Sequence, residues 1–220
     1  MIGFYEGCFL CTFRKEGLSP EKCFECSQPT IIRQDWIYSF GLYFPKFRKE
    51  YKSSKWSQAI VQVKRSRLPI ISSLGRIMTY YLFKYLNGLK PCLITNVPAS
   101  SIDTDDCLFP GLTSFTTKLL LSSVSEQIKD RQWAIAEELL VQTREKPTKQ
   151  HCCKSDSERK RNVSRVYTLS QPNLVKGRNI ILLDDVVTSG ATLTECARVL
   201  YEAGAKNLVA LTIARTSRKK

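Results

Sequence analysis

Residues 180–192, IILLDDVVTSGAT, constrain this chain more tightly than any other stretch. Ile180, Ile181, Leu182 and Leu183 form an unbroken apolar run, the pattern of a central parallel strand covered on both faces. Asp184 and Asp185 follow at its carboxyl end, the end at which open α/β sheets bind their ligands. Thr188, Ser189, Gly190, Ala191 and Thr192 then make a tight polar turn that leads into an amphipathic segment from Leu193 to Tyr201. Strand, acids, turn and helix in that order predict an α/β fold with its ligand crevice here.

A phosphate suits such a turn. Gly190 lets the backbone approach closely, and the start of the next helix offers unpaired N–H groups at the positive end of its dipole. The hydroxyls of Thr188, Ser189 and Thr192 add donors. Two ionised carboxylates beside a phosphate would repel it, so they accept hydrogen bonds from vicinal ribose hydroxyls or hold a hydrated cation. The ligand that meets both demands is a ribose 5-phosphate. Four apolar residues, two acids, two apolar residues and T-S-G-A-T make the run similar to the phosphoribosyl-pyrophosphate (PRPP) signature of type I phosphoribosyltransferases. The resemblance implies that Asp184 and Asp185 contact the ribose as the catalytic pair, and that Val187, Thr188, Ser189, Gly190, Ala191 and Thr192 hold the 5-phosphate. It also implies a type I phosphoribosyltransferase-like, mainly parallel sheet with helices on both faces, and magnesium bound together with PRPP.

Nine cysteines are spread through the 220 residues. Cys8 and Cys11, then Cys23 and Cys26, form two CxxC knuckles of the kind that present four thiolates to one tetrahedral zinc ion. The segment is short and has little apolar surface to bury, so metal binding would supply most of its folding energy, and the zinc would be structural. Two disulfides or a thiol redox pair are the competing readings. Cys92, Cys107 and Cys196 read as small packing residues, and Cys152 and Cys153, beside the lone His151, as exposed thiols.

The formal net charge of +14 points to a polyanionic partner. Residues 31–90 hold twelve Lys or Arg against Asp35 and Glu50, whereas residues 91–143 are net acidic. Between Ile31 and Trp56 aromatic side chains (Trp36, Tyr38, Phe40, Tyr43, Phe44, Phe47, Tyr51, Trp56) alternate with Lys46, Arg48, Lys49, Lys52 and Lys55. Rings set in a basic groove suit single-stranded nucleic acid. Tyr38, Phe40 and Leu42 also fit a half-buried strand, and the competing reading is that most of these rings pack the zinc module against the main domain. A convincing secretory leader or a membrane-length apolar run is missing, and the expected location is the cytoplasm.

Ile70, Ile71, Leu74, Ile77, Met78, Tyr81, Leu82, Tyr85 and Leu86 share one face of a core helix, with Arg76 and Lys84 on its wet side and Asn87-Gly88 as its stop. Pro91 to Val97 reads as a buried strand. Residues 115–142 read as mainly helical with a break near Lys129, residues 143–165 as a polar basic loop or hood, Val166 to Leu169 as a strand, and Leu208 to Ile213 as the last strand. The expected organisation is a zinc module over 1–32, a basic and aromatic connecting segment over 33–68, and a phosphoribosyltransferase-like domain over 69–220.

With its paired knuckles and PRPP run, the chain resembles the ComF family (GntX-like, competence protein F) over nearly its whole length. Thr148, Gln150, Arg159 and Asn162 are similar to that family's spaced polar residues ahead of the last strands. By the same resemblance Val97 and Pro98 begin the loop that binds pyrophosphate, and a homodimer is implied. Where the family carries a basic loop after that strand, this chain has SSIDTDDCLFPGL, placing Asp103, Asp105 and Asp106 against the pyrophosphate. Two function classes follow: a Mg²⁺-dependent phosphoribosyltransferase, or a non-catalytic accessory protein of DNA uptake that binds single-stranded DNA and senses a phosphoribosyl ligand.

Overall fold

The computed structural model describes residues 5–8, 36–63, 68–89, 91–98, 116–128, 132–143, 153 and 155–216. Its centre is a six-stranded sheet built from β1 (Tyr5–Cys8), β2 (Trp36–Tyr43), β3 (Cys92–Asn96), β4 (Trp133–Ile135), β7 (Asn179–Val187) and β8 (Asn207–Thr216). They lie in the order β1-β2-β8-β7-β3-β4. Only β1 runs antiparallel to its neighbour; every other pairing in this sheet is parallel. A separate antiparallel pair joins β5 (Leu140–Gln142) to β6 (Tyr167–Leu169). The expected mainly parallel α/β sheet is therefore observed.

Strand β7 lies between β3 and β8, which explains its unbroken apolar run. Ile180, Ile181, Leu182 and Leu183 are each fully buried, Ile180 and Leu182 in one core and Ile181 and Leu183 in the other. Burying a side chain of this size contributes about 1.5–3 kcal/mol, so these four residues pin the strand at the centre. On the first face α6 (Ala191–Glu202) packs through Leu193, Cys196, Ala197 and Leu200. On the second lie α3 (Leu68–Tyr85), α4 (Thr116–Ser125) and Ile60 of α2 (Lys55–Val63), which follows the short α1 (Glu50–Ser53). Helices thus cover both faces.

The core helix forms as its periodicity demands, with Ile71, Leu74, Met78 and Leu82 buried and Arg76 and Lys84 exposed. It ends in a 3-10 turn, Asn87–Leu89. Gly75 is the point where α3 and α4 touch: a Cβ there would lie 2.6 Å from Cβ of Ser123.

Four expectations need correction. Trp133–Ile135 is an edge strand and Leu140–Gln142 pairs with β6, so the helical reading of residues 115–142 holds only for Thr116–Ser125. Residues 133–141 are two short apolar runs on either side of Glu137-Glu138, which carry neither period, and sheet contacts decide: Cys92, Leu93 and Ile94 pair in register with Trp133, Ala134 and Ile135. The hood contains α5 (Asp156–Val163), which has no apolar stripe but begins with a capping box between Ser155 and Glu158. Cys153, just ahead of that cap, is buried and not an exposed thiol. Finally, residues 36–43 of the expected connecting segment are a strand of the main sheet, paired with β8 from Ile37↔Ala210 to Tyr43↔Thr216. Ile37 and Phe40 enter opposite cores, which a detached linker could not do.

Candidate functional site

Strand β7 carries its polar residues beyond the buried run. Asp184 and Asp185 lie within the strand, half-buried, with Val186 and Val187 continuing the ladder in register with Ala214 and Arg215 of β8. Each carboxylate is anchored locally. Asp184 Oδ1 accepts the Asp185 amide at 2.9 Å, and Asp185 Oδ1 accepts the Val186 amide at 2.5 Å.

The turn after β7 bends back through Gly190, whose φ of 75° lies in the left-handed region that glycine enters without penalty. Gly190 is the N-cap of α6, and its carbonyl accepts the Thr194 amide at 2.8 Å. The Ser189 hydroxyl accepts the Ala191 amide at 3.4 Å. Asp184, Val186, Val187 and the whole run Thr188 to Leu193 line one open pocket of about 80 Å³. The first turn of α6, Ala191 to Leu193, lines the same space, where the positive end of the helix dipole favours an anion.

Seven of the predicted residues, Asp184 and Val187 to Thr192, thus meet around the pocket. Asp185 is adjacent in the strand but is not among the lining residues. Val97 and Pro98 stand at the carboxyl end of β3, the strand beside β7, and the Val97 amide donates to the Leu183 carbonyl at 2.9 Å. Cys8 ends β1; Cys11, Cys23 and Cys26 lie outside the described residues, as do Asp103, Asp105, Asp106, Arg144, Lys146, Lys149 and His151. Arg159 and Arg161 are on α5. Among the described residues no group of three or more His, Cys, Asp or Glu is placed to hold a metal ion.

Three surrounding residues were not legible as part of the site. Tyr167 of β6 is 4% exposed, its ring packed into the core that α6 covers. Burial first, then the Cys196 thiol and the Asp184 carboxylate nearby, push this phenol well above its ordinary pKa, so it stays a neutral hydroxyl. Thr216, at the end of β8, shares a hydrogen bond of 2.9 Å with Thr188. Glu195 of α6 accepts the Arg165 amide at 2.6 Å and is paired with Arg198 at 2.7 Å, which ties the turn ahead of β6 to the helix that follows the pocket. Arg165 itself has a φ of 56°, a conformation that this carboxylate helps hold.

The basic segment after β2 lies at the same end of the sheet, since Tyr43 is in register with Thr216. Its aromatic residues divide. Phe40 is fully buried, and Tyr38, Tyr43 and Trp56 pack against the second core, while Phe47 is 86% exposed among exposed Lys46, Lys49, Lys52 and Lys55.

Comparison with known proteins agrees with this geometry. Residues 126–220 match the phosphoribosyl transferase domain. A 58-residue stretch is 40% identical to the DNA utilization protein YhgH of Escherichia coli strain K12, covering 26% of this chain and 25% of that protein. Another, of 59 residues, is 32% identical to the ribose-phosphate pyrophosphokinase of Saccharolobus solfataricus, covering 26% of this chain and 20% of that one. The matches therefore span only a fifth to a quarter of these relatives. Among solved structures, a hypoxanthine phosphoribosyltransferase from Staphylococcus aureus aligns at 10% identity over 71% of this chain and 76% of that one, with a TM-score of 0.35. That score adds nothing to the fold assignment, which rests on the strand order and the domain match. The domain match covers residues 126–220, which include the strand, turn and helix that line the pocket. In what it resembles, the chain is ComF-like.

Proposed function

We propose that the pocket binds PRPP or a closely related phosphoribosyl ligand, and that the chain is a phosphoribosyltransferase of the ComF type. The observation that carries this reading is the meeting, around one pocket, of a half-buried carboxylate and a glycine-led turn opening a helix. In this reading Asp184 and Asp185 orient the ribose through its vicinal hydroxyls. The turn from Val187 to Thr192 fixes the 5-phosphate with backbone N–H groups and hydroxyls. Val97 and Pro98 begin the wall on the pyrophosphate side.

Catalysis is then mainly positioning and electrostatics. The carboxylates face the sugar on which positive charge develops as pyrophosphate departs. Magnesium, when bound, neutralises pyrophosphate charge, with Asp184 and Asp185 as the nearby oxygen donors. Cys8, Cys11, Cys23 and Cys26 form a donor set whose chemistry fits a structural zinc ion in a module over residues 1–32. The acceptor is left open.

Isothermal titration of PRPP with Mg²⁺ tests the site. Saturable binding that is lost in an Asp184→Asn, Asp185→Asn double variant supports the reading, and heat-silent mixing at millimolar ligand overturns it. Release of pyrophosphate with a panel of nucleobases tests the transferase activity itself.

The exposed Phe47 and its lysines favour a second reading, in which the same fold is a non-catalytic accessory of DNA uptake that binds single strands. Affinity for an oligonucleotide would fall steeply with salt, and removing charge at Lys46, Lys49 and Lys52 would weaken it about equally for all sequences. Affinity indifferent to both changes excludes this reading.

A further inference from the structure

From the end of the last strand we infer that Thr216 is a positioning residue of the phosphate turn: its hydroxyl holds that of Thr188, so that the Thr188 proton is left for the ligand's phosphate. This rests on the phosphoribosyl reading of the pocket and adds to it a residue outside the motif, on the neighbouring strand.

Three observations place Thr216 in that role. Its Oγ1 lies 2.9 Å from Oγ1 of Thr188, and Thr188 lines the pocket. The strand that carries Thr216 is held from both sides at this level, since Arg215 is in register with Val187 of β7 and Thr216 with Tyr43 of β2. A buried hydrogen bond of 2.6 Å between Ser39 and Thr212 clamps β2 to β8 a little earlier along the same pair. The Thr216 hydroxyl therefore stands on a frame fixed by strand pairing, independent of the turn. Thr188 has no such frame, being the first residue beyond β7. The turn is held at its far end by the left-handed Gly190, whose carbonyl accepts the Thr194 amide, and the tie to Thr216 holds its near end.

The chemistry of the pair gives the consequence. A hydroxyl has one proton to give and two lone pairs to receive with. Between two hydroxyls the bond can run in either direction, and the ligand decides which. A phosphate dianion only accepts, so Thr188 gives its proton to the phosphate and takes the Thr216 proton on its own oxygen. Without the Thr216 hydroxyl, the Thr188 side chain is free to change rotamer or to bond a nearby backbone group, and its proton is no longer held toward the ligand. The end of β8 is therefore more than the rim of the sheet: it sets the donor geometry at the start of the turn.

Thr216→Val keeps the β-branched shape that suits a strand and removes the tie, whereas Thr216→Ser keeps the hydroxyl. Ribose 5-phosphate is titrated into the full-length wild-type protein, both of these variants, Thr188→Val and the Thr188→Val, Thr216→Val double variant, and the melting temperature of each is recorded without ligand. The expected result is a Kd weaker by about three- to tenfold for Thr216→Val, the range one net hydrogen bond spans, and within about twofold of wild type for Thr216→Ser. The double variant loses no more than Thr188→Val alone, since a tie cannot be cut twice. Unchanged or tighter binding by Thr216→Val, an equal loss in Thr216→Ser, or additive losses in the double variant overturn the inference, and so does a lower melting temperature of Thr216→Val with its Kd unmoved. Failure of wild type to bind any phosphoribosyl ligand overturns the reading of the pocket and this inference with it, whereas tight wild-type binding with an indifferent Thr216→Val variant overturns the inference alone.

Discussion

Replacing Glu195 with alanine isolates the link between the turn ahead of β6 and the helix behind the pocket. The carboxylate side chain is 10% exposed and accepts three hydrogen bonds: from the Arg165 amide at 2.6 Å, and from Nη2 and Nε of Arg198 at 2.7 and 3.0 Å. A hydrogen bond to a charged group contributes about 1.5–3 kcal/mol, and the part-buried bond from the Arg165 amide falls in that class. Arg198 is 40% exposed and keeps Glu202 as a second partner, so its share sits near the exposed-pair range of about 0.2–1 kcal/mol. The expected loss is about 2–4 kcal/mol, and Glu195→Gln, which keeps one acceptor for the amide, should lose about half of that. Urea unfolding at neutral pH measures both, with an unchanged slope showing that only stability moved.

The pH dependence gives an independent check on the same residue. Burial alone would raise the Glu195 carboxyl, but the hydrogen bonds from the Arg198 side chain and the Arg165 amide, together with their positive charges, outweigh it and hold it below its ordinary value. A depressed carboxyl stabilises the fold above its unfolded pKa of about 4.3 and loses that contribution as pH falls through the folded value. The gap between wild type and Glu195→Ala should therefore stay flat from pH 7 to about 5 and narrow only below about 4.3. A gap under about 0.5 kcal/mol at pH 7, or one that closes between pH 7 and 5, refutes the reasoning.

Two further substitutions probe the turn and the helix layer. Gly190→Ala forces a Cβ into a left-handed conformation at φ 75°, at a cost of about 1–2 kcal/mol, and should lower the melting temperature while weakening ribose 5-phosphate binding more than any other single alanine in the turn. Gly75→Ala drives a methyl into Ser123 and should destabilise by about 1–3 kcal/mol in urea, with ligand affinity of the remaining folded protein unchanged, because α3 and α4 lie on the face of the sheet opposite α6.

The parts of the fold that the sequence declares are those in which one signal dominates. Ile180 to Leu183 has no reading other than a strand buried on both faces, and Ile71, Leu74, Met78 and Leu82 keep a helical step for over two turns. Trp133 to Ile135 was misread because three residues carry no period, and their state is decided by Cys92 to Ile94, some forty positions earlier in the chain. Helix α5 was hidden for the opposite reason: DSERKRNV has no apolar stripe, and its one legible signal was Ser155 three residues before Glu158. Phe40 and Tyr38 sit in a basic, aromatic run that suits a nucleic-acid surface, but with Leu42 they also fit a half-buried strand, and pairing with β8 decides for the strand.

The same division holds at the pocket. Asp184 and the run Thr188 to Thr192 are contiguous, so their order alone declares the site. Tyr167 and Thr216 come to it from β6 and β8, and nothing in VYTL or in the end of the last strand marks either hydroxyl before the pairing of strands is known. Thr216 had one usable clue. It follows an apolar strand that must lie parallel to β7 if the connecting helix is short, which sets its end level with Thr188.

The most direct test of the central claim is the crystal structure of the full-length protein grown with ribose 5-phosphate and magnesium. The account predicts the phosphate seated in the turn, within hydrogen-bonding distance of the backbone amides from Gly190 to Thr192, with the ribose hydroxyls toward Asp184 and Asp185. A turn left without phosphate at saturating ligand, or a sugar bound elsewhere on the chain, contradicts it.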